Sequence, residues 1–199
     1  MILQKPEGAW ALYLLAHGAG AGMRHAFLKA LSDALAAEGV ATLRYEFPYM
    51  ESRSRRIDSP AVLHARVREA VASAQGQGLP LFAGGKSMGG RMTSQAQALE
   101  PLPGIRGIAL VGFPLHPAKK PGTARADHLR EVRVPMLFVQ GTRDELADLS
   151  LLRPVLTGLP QTTLHVIEGA DHSFRIRKRT DVIAEIASVI ASWARPLAR

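Results

Sequence analysis

Hydrophobic residues in this chain fall into short unbroken runs, separated by stretches where they recur every three or four positions. Trp10–Ala16 (WALYLLA) is apolar throughout and stops at His17-Gly18. A run that is apolar at every position, not every second one, suits a parallel strand covered on both faces. Val40–Tyr45, Leu79–Ala83, Ile105–Phe113, Val134–Gln140 and Thr162–Ile167 also read as strands, with Pro135 tolerated because it sits at a strand's start. Between them the period changes. Arg24–Glu38 places Phe27, Leu28, Leu31 and Leu35 on one helical stripe that Gly39 ends. Ser59-Pro60 is an N-cap and first-turn pair for a helix carrying Leu63, Val67, Ala70, Val71 and Ala74. Gly84–Gly90 opens a helix with Met88, Met92, Ala96 and Leu99, broken at Pro101-Leu102-Pro103-Gly104. Leu146–Leu156 can be helical, and Thr180 caps a last helix whose apolar face holds Val182, Ile183, Ile186, Val189, Ile190 and Trp193. Glu46–Asp58 and His116–Val132 are polar and read mostly as loop.

Six strands alternating with about five helices predict an α/β fold: an open, mostly parallel sheet with helices on both faces. No repeat or linker divides the chain, so residues 1–199 form one domain. With no cysteine, a disulfide framework, a thiolate metal site and a cysteine nucleophile are all excluded. No H-E-x-x-H or ligand-spaced His/Asp/Glu cluster supports a metal, and no cofactor is expected. No apolar run reaches the roughly 18 residues of a membrane span. Lys5 followed by the apolar Ala9–Ala16 imitates a leader peptide, but Glu7 and the short apolar run favour a buried strand. A cytoplasmic protein is the expectation.

The strongest local signal is Gly85-Lys86-Ser87-Met88-Gly89, a G-x-S-x-G between a predicted strand and a predicted helix. A serine at such a sharp turn sits on strained backbone, and side chains two residues before and after would clash, hence the glycines. The helix N-terminus then directs free N–H groups at the reacting oxygen. A serine hydroxyl needs a base near neutral pH. Of seven histidines, His172 follows the last predicted strand, where doubly wound sheets place their sites. His165 lies within that strand and reads as a packing residue, and His25 and His64 fall on helices. His116 and His128 lie in a long loop that can approach a pocket. Asp144 follows another strand end through Gly141-Thr142-Arg143 and is the candidate to orient the imidazole. Asp148 is its runner-up, and Asp171, adjacent to His172, reads as a loop brace. The loop His17-Gly18-Ala19-Gly20-Ala21-Gly22 offers the Ala19 N–H as one oxyanion donor, with the Met88 N–H as the second. A phosphate-cradling role for that loop fails because Met23 stands where G-x-G-x-x-G needs glycine, and Pro80 denies Gly85-Lys86-Ser87 a P-loop.

The pieces AHGAGAGM, GGKSMGGRM, FVQGTRDELAD and EGADHSF, in that order over nearly the whole chain, resemble small bacterial α/β hydrolases of the dienelactone-hydrolase-like group. More narrowly they resemble the branch containing the testis-expressed protein and the chromatin-complex subunit that share a hydrolase-like domain. Ser87, Asp144, His172 follow the Ser…Asp…His order of such enzymes. The resemblance implies nucleophile, acid and base in those roles, with oxyanion N–H groups at Ala19 and Met88. It implies a reduced α/β-hydrolase fold of about six strands in family order 4-3-5-6-7-8, the first two strands missing or replaced by a stub from Met1–Gln4. Only some twenty residues lie where relatives insert a lid, so no cap domain fits. Dienelactone hydrolases proper use a cysteine nucleophile and so resemble the chain less closely.

The expected activity is that of a serine hydrolase on an ester-like acyl bond of a small substrate, with thioester, lactone and peptide bonds left open as alternatives. Expected pocket residues are His17, Phe47, Tyr49, Lys86, Phe113, His116 and Phe174. The alternative is a non-catalytic protein-interaction module with a hydrolase-like fold, which has no need of the Ser87/Asp144/His172 set. Charge enters last: 25 Lys and Arg against 17 Asp and Glu give a net +8. That balance suits nucleic acid, an anionic membrane, an acidic substrate or mere solubility. Its dense parts are Arg53, Arg55 and Arg56, then Lys119 and Lys120, then Arg175, Arg177, Lys178 and Arg179, all expected on the active-site side of the sheet. No nucleic acid or membrane partner is expected; the clusters read either as solvated arginines or as a positive field that draws an anionic small-molecule ester substrate.

Overall fold

In the computed structural model, which describes residues 1–177 and 179–199, the chain forms one seven-stranded sheet between two helical layers. The elements in order are β1 (Ile2–Gln4), β2 (Ala11–Ala16), α1 (Ala26–Ala37), β3 (Val40–Tyr45), α2 (Pro48–Glu51), α3 (Pro60–Ala74), β4 (Leu81–Lys86), α4 (Met88–Leu99), β5 (Ile105–Val111), β6 (Met136–Gly141), α5 (Leu149–Thr157), β7 (Thr162–Ile167) and α6 (Val182–Leu197). The sheet order is β1-β3-β2-β4-β5-β6-β7. All neighbours pair in parallel except β1, which runs antiparallel to β3 with Ile2 opposite Arg44 and Gln4 opposite Thr42. The six expected parallel strands are present in the expected order, and the N-terminal stub is a seventh.

The unbroken apolar runs are explained by two cores, one on each side of the sheet. On β2, Leu12, Leu14 and Ala16 face a core with Leu63 and Val67 of α3, Met92 of α4 and Leu152 of α5. Ala11, Tyr13 and Leu15 face the opposite core with Leu28, Leu31 and Leu35 of α1 and Ile186 and Ile190 of α6. On β6, Met136 and Phe138 turn one way, Leu137 and Val139 the other. Each fully buried Leu, Ile or Phe contributes roughly 1.5–3 kcal/mol, so neither face of a central strand tolerates a polar residue without a partner. Tyr13 satisfies its hydroxyl by crossing Gly84 of β4 to donate to Ala109 O on β5 at 2.8 Å.

Differences from expectation are local. The polar stretch after β3 contains the short α2, and Ala124–Glu131 winds into a 3₁₀ helix that buries Ala126 and Leu129 beside α4. The last helix starts at Val182 with Asp181, not Thr180, at its N-cap. Only this short connection separates β5 from β6, so the sheet carries no cap domain. Among the described residues, no helix is long and apolar enough to cross a membrane.

Candidate active site

Every candidate catalytic piece leaves the carboxyl end of a parallel strand: His17–Ala19 after β2, Ser87 after β4, Asp144 after β6 and His172 after β7. Ser87 occupies the turn into α4 with φ 51° and ψ −119°. For a non-glycine residue this backbone costs on the order of 1–3 kcal/mol. The surroundings hold it there: Ser87 N–H donates to Val111 O at 2.9 Å, and α4 begins at the next residue. The flanking glycines are dictated by close approach. A Cβ on Gly85 would lie 2.3 Å from Ala16 O, and one on Gly89 would lie 2.5 Å from His17 O. Both therefore press against the same end of β2, which fixes the Ser87 turn beside the His17–Ala19 loop.

His172 Nε2 lies 2.9 Å from Ser87 Oγ, and its Nδ1 lies 2.9 and 2.8 Å from the two oxygens of Asp144. The Asp144 side chain is fully buried. It also accepts from Leu146 N–H at 2.8 Å and from the amide of Gln140, a buried residue of β6. With Asp144 as acceptor, Nδ1 carries the ring proton and Nε2 offers its lone pair to the serine. The loop around His172 is equally constrained. Asp171 Oδ1 accepts from Ser173 N–H and Arg175 N–H at 2.8 and 2.9 Å, so Asp171 is the expected brace. The acid and base loops are joined by Arg143 N–H donating to Ala170 O at 2.9 Å, at a place where a Cβ on Gly141 would lie 2.2 Å from that oxygen. Asp148 is instead the N-cap of α5, where it accepts from Ser150 N–H. Neither the Ala19 nor the Met88 N–H has a protein acceptor among the described residues; Met88 follows Ser87 directly, and a Cβ on Gly18, next to Ala19, would lie 3.5 Å from the Ser87 Cβ.

Ser87 and His172 open into a cleft of about 780 Å³ between α1 and the start of α6. Of the expected pocket residues, Lys86 and Phe174 line it, as does Ala19 of the loop after β2. Five do not. Phe47 and Phe113 are fully buried in the core beneath α3 and α4, Phe113 edge-on to Phe138. Tyr49 is buried and borders a separate cavity of about 450 Å³ with Gly20, Arg53 and Arg55. His17 is fully buried: its Nε2 accepts from Phe47 N–H and its Nδ1 donates to Gly18 O, both at 2.9 Å. Burial holds its pKa below the usual histidine value. His116 accepts from Asp148 N–H at 3.0 Å and bonds Pro117 O. These two rings are braces between loops. The cleft wall comes from residues that periodicity marked only as helix faces, Phe27, Leu28 and Ile183 among them. Of the basic clusters, Arg175 and Arg179 line the cleft, Arg179 paired to Asp181 and Glu185, while Lys178 lies outside the described residues. No group of three or more His, Asp or Glu is arranged to hold a metal among the described residues.

Several solved structures share this arrangement of strands and helices. The chain is similar to a dienelactone hydrolase from Anabaena variabilis (22% identity over 99% of this chain and 91% of that one, TM-score 0.80). It is also similar to an α/β serine hydrolase without lid from Xanthomonas campestris (18% identity, 98% and 88%, TM-score 0.74) and to Est1E from Butyrivibrio proteoclasticus with ferulic acid bound (16% identity, 98% and 94%, TM-score 0.75). At such identities the likeness is one of fold. Sequence supplies the kinship: an alpha/beta hydrolase domain family matches residues 9–196, from just before β2 to the end of α6. That match takes in every parallel strand and all four loops described above, and the chain belongs to the α/β-hydrolase family.

Proposed function

We propose that this protein is a serine hydrolase of carboxylesterase type, cleaving a small ester through an acyl-enzyme formed on Ser87. The observation that carries the reading is the continuous hydrogen-bonded line Ser87 Oγ–His172 Nε2, Nδ1–Asp144, anchored on strained backbone at a helix N-terminus. In this reading Ser87 Oγ attacks the ester carbonyl while His172 takes its proton. The alkoxide leaves with that proton, and water repeats the sequence on the acyl-enzyme. Asp144 holds the tautomer and stabilises the imidazolium, and the Ala19 and Met88 N–H groups receive the oxyanion. Loss of one such donor raises the barrier by about 2.7–4 kcal/mol. The apolar wall of Phe27, Leu28 and Ile183 suits a short acyl chain. Kinship with the branch of the testis-expressed protein is part of the same proposal and rests on the four sequence pieces named above.

A fluorophosphonate probe, which captures activated serines, is expected to label the wild type and not Ser87→Ala. Turnover of p-nitrophenyl esters of rising chain length is expected to fall in that variant by at least about 10³-fold, the residue being indispensable to the acyl-enzyme. Equal labelling of both proteins would refute the nucleophile assignment. A folded wild type that turns over no ester favours the interaction-module reading instead.

A further inference from the structure

Lys86 precedes the nucleophile, and its ammonium lacks an ordinary partner. Nζ lies 3.4 Å from His172 Nε2 and over the rings of Phe174 and Phe27, at 5.3 and 6.0 Å from their centroids. Among the described residues, no carboxylate reaches it within ion-pair distance. The two nearby acids are engaged elsewhere: Asp144 by His172, Gln140 and Leu146, and Asp171 through Oδ1 by the Ser173 and Arg175 N–H groups. Room for the ammonium depends on Gly112, where a Cβ would lie 2.9 Å from Nζ. Burial pushes the Lys86 pKa down to about 8, against the pull of Asp144 and Asp171.

Nε2 has a single lone pair when Nδ1 carries the ring proton. Ser87 Oγ at 2.9 Å and Lys86 Nζ at 3.4 Å both approach it. A cation there competes with the hydroxyl that must donate, and it repels the imidazolium formed once the serine proton has moved. A negative group that draws the ammonium aside relieves both effects. The cleft is suited to bring one in. Its walls are largely apolar, Arg175 lines it beside Arg179, which Asp181 and Glu185 already pair, and no acidic residue lines it among the described residues. Nζ is two hydrogen bonds from Ser87 Oγ, so the anion belongs close to the scissile carbonyl, on the acyl side chain.

We propose that Lys86 determines the specificity of this site: without substrate its ammonium shares the His172 Nε2 lone pair with Ser87, and it transfers to the carboxylate of a short acidic acyl group. An anionic ester thereby gains an ion pair and frees the base in one movement. The proposal rests on the serine-hydrolase reading and deepens it by naming the acyl class.

Methyl butyrate and monomethyl succinate have acyl chains of similar reach, one ending in methyl and the other in carboxylate, and methanol release reads both. The wild type is expected to favour monomethyl succinate in kcat/KM by about tenfold or more, the worth of a charge-assisted hydrogen bond. In Lys86→Met that preference is expected to vanish, while kcat/KM on methyl butyrate rises and the neutral fluorophosphonate labels Ser87 faster, because the cation competing for His172 Nε2 is gone. Lys86→Gln replaces the methionine variant if the latter does not fold. Equal loss on both substrates, or a labelled wild type that prefers methyl butyrate, overturns this proposal alone. An unlabelled wild type overturns the serine-hydrolase reading and the proposal with it.

Discussion

His128 shows how a single buried ring couples this fold to pH. Its Nε2 lies 2.8 Å from Ser94 Oγ, and its ring tilts against Phe113. Burial first, then the charge of Arg91, pushes its pKa down to about 4. The unfolded chain holds histidine near its ordinary value of about 6.5. Between those values the unfolded chain binds more protons than the folded one, so stability rises with pH through that window and is lost on acidification. The melting temperature is expected to fall between pH 6.5 and 4, and to fall less steeply in His128→Gln. Identical slopes in the two proteins would remove His128 from the cause. His17 and His64, also held low by burial, add to the slope that remains. Residue roles were unevenly legible from sequence. Ser87, Asp144 and His172 follow strand ends in a distinctive order, and the structure brings them into hydrogen-bonding contact. His17 and His116 also follow strand ends, yet they serve the Phe47 and Asp148 N–H groups. Nothing in a sequence marks which loop amide will need an acceptor.

At the scale of elements, the strand–turn–helix of β4 and α4 depends on how closely it meets β2. Gly89→Ala places a methyl against the carbonyls of Ala16 and His17, backbone that has no room to retreat. Gly76, just past α3, has nothing within 4 Å of an added Cβ. By chemical denaturation Gly89→Ala is expected to lose more than about 2 kcal/mol and Gly76→Ala to stay within about 0.5 kcal/mol. Similar values for both would mean that the β2 contact yields easily. Such elements were readable because central strands are apolar at every position and their helices apolar on one stripe. Their ends were less so: β4 extends through Lys86, three residues beyond its expected end at Ala83, because glycines at positions 84 and 85 look like loop but pair with Leu15 and Ala16. The walls of the cleft are hidden in the sequence for a related reason. Unbroken hydrophobicity does not say to which face the residue after a strand will turn, and Phe47 and Phe113 turned into the core while Phe27 and Ile183 formed the wall.

Over the whole molecule the excess positive charge is divided. Arg175 and Arg179 line the cleft with Ser87, and Arg53 and Arg55 line the second cavity. Lys119 and Lys120 are exposed on the connection between β5 and β6. Exposed ion pairs such as Lys29–Asp33 contribute little to stability; the two cores carry the fold. Those cores leave the rim of the sheet to be finished by the chain itself, and on one side only Ile2–Gln4 does so. Beneath it lies β3, buried along all six residues. Gln4 secures the strand by bonding Asp33 and Ser32 of α1. A variant lacking residues 1–5 bares a row of N–H and C=O groups on a hydrophobic strand, a template on which another chain can pair. Light scattering is expected to show concentration-dependent association of that variant beyond that of the intact protein; a truncated protein that associates no more than the intact one would deny β1 this role. Three residues at the margin of the sheet thus act as its selvedge, keeping a self-sticky weave from joining its neighbour.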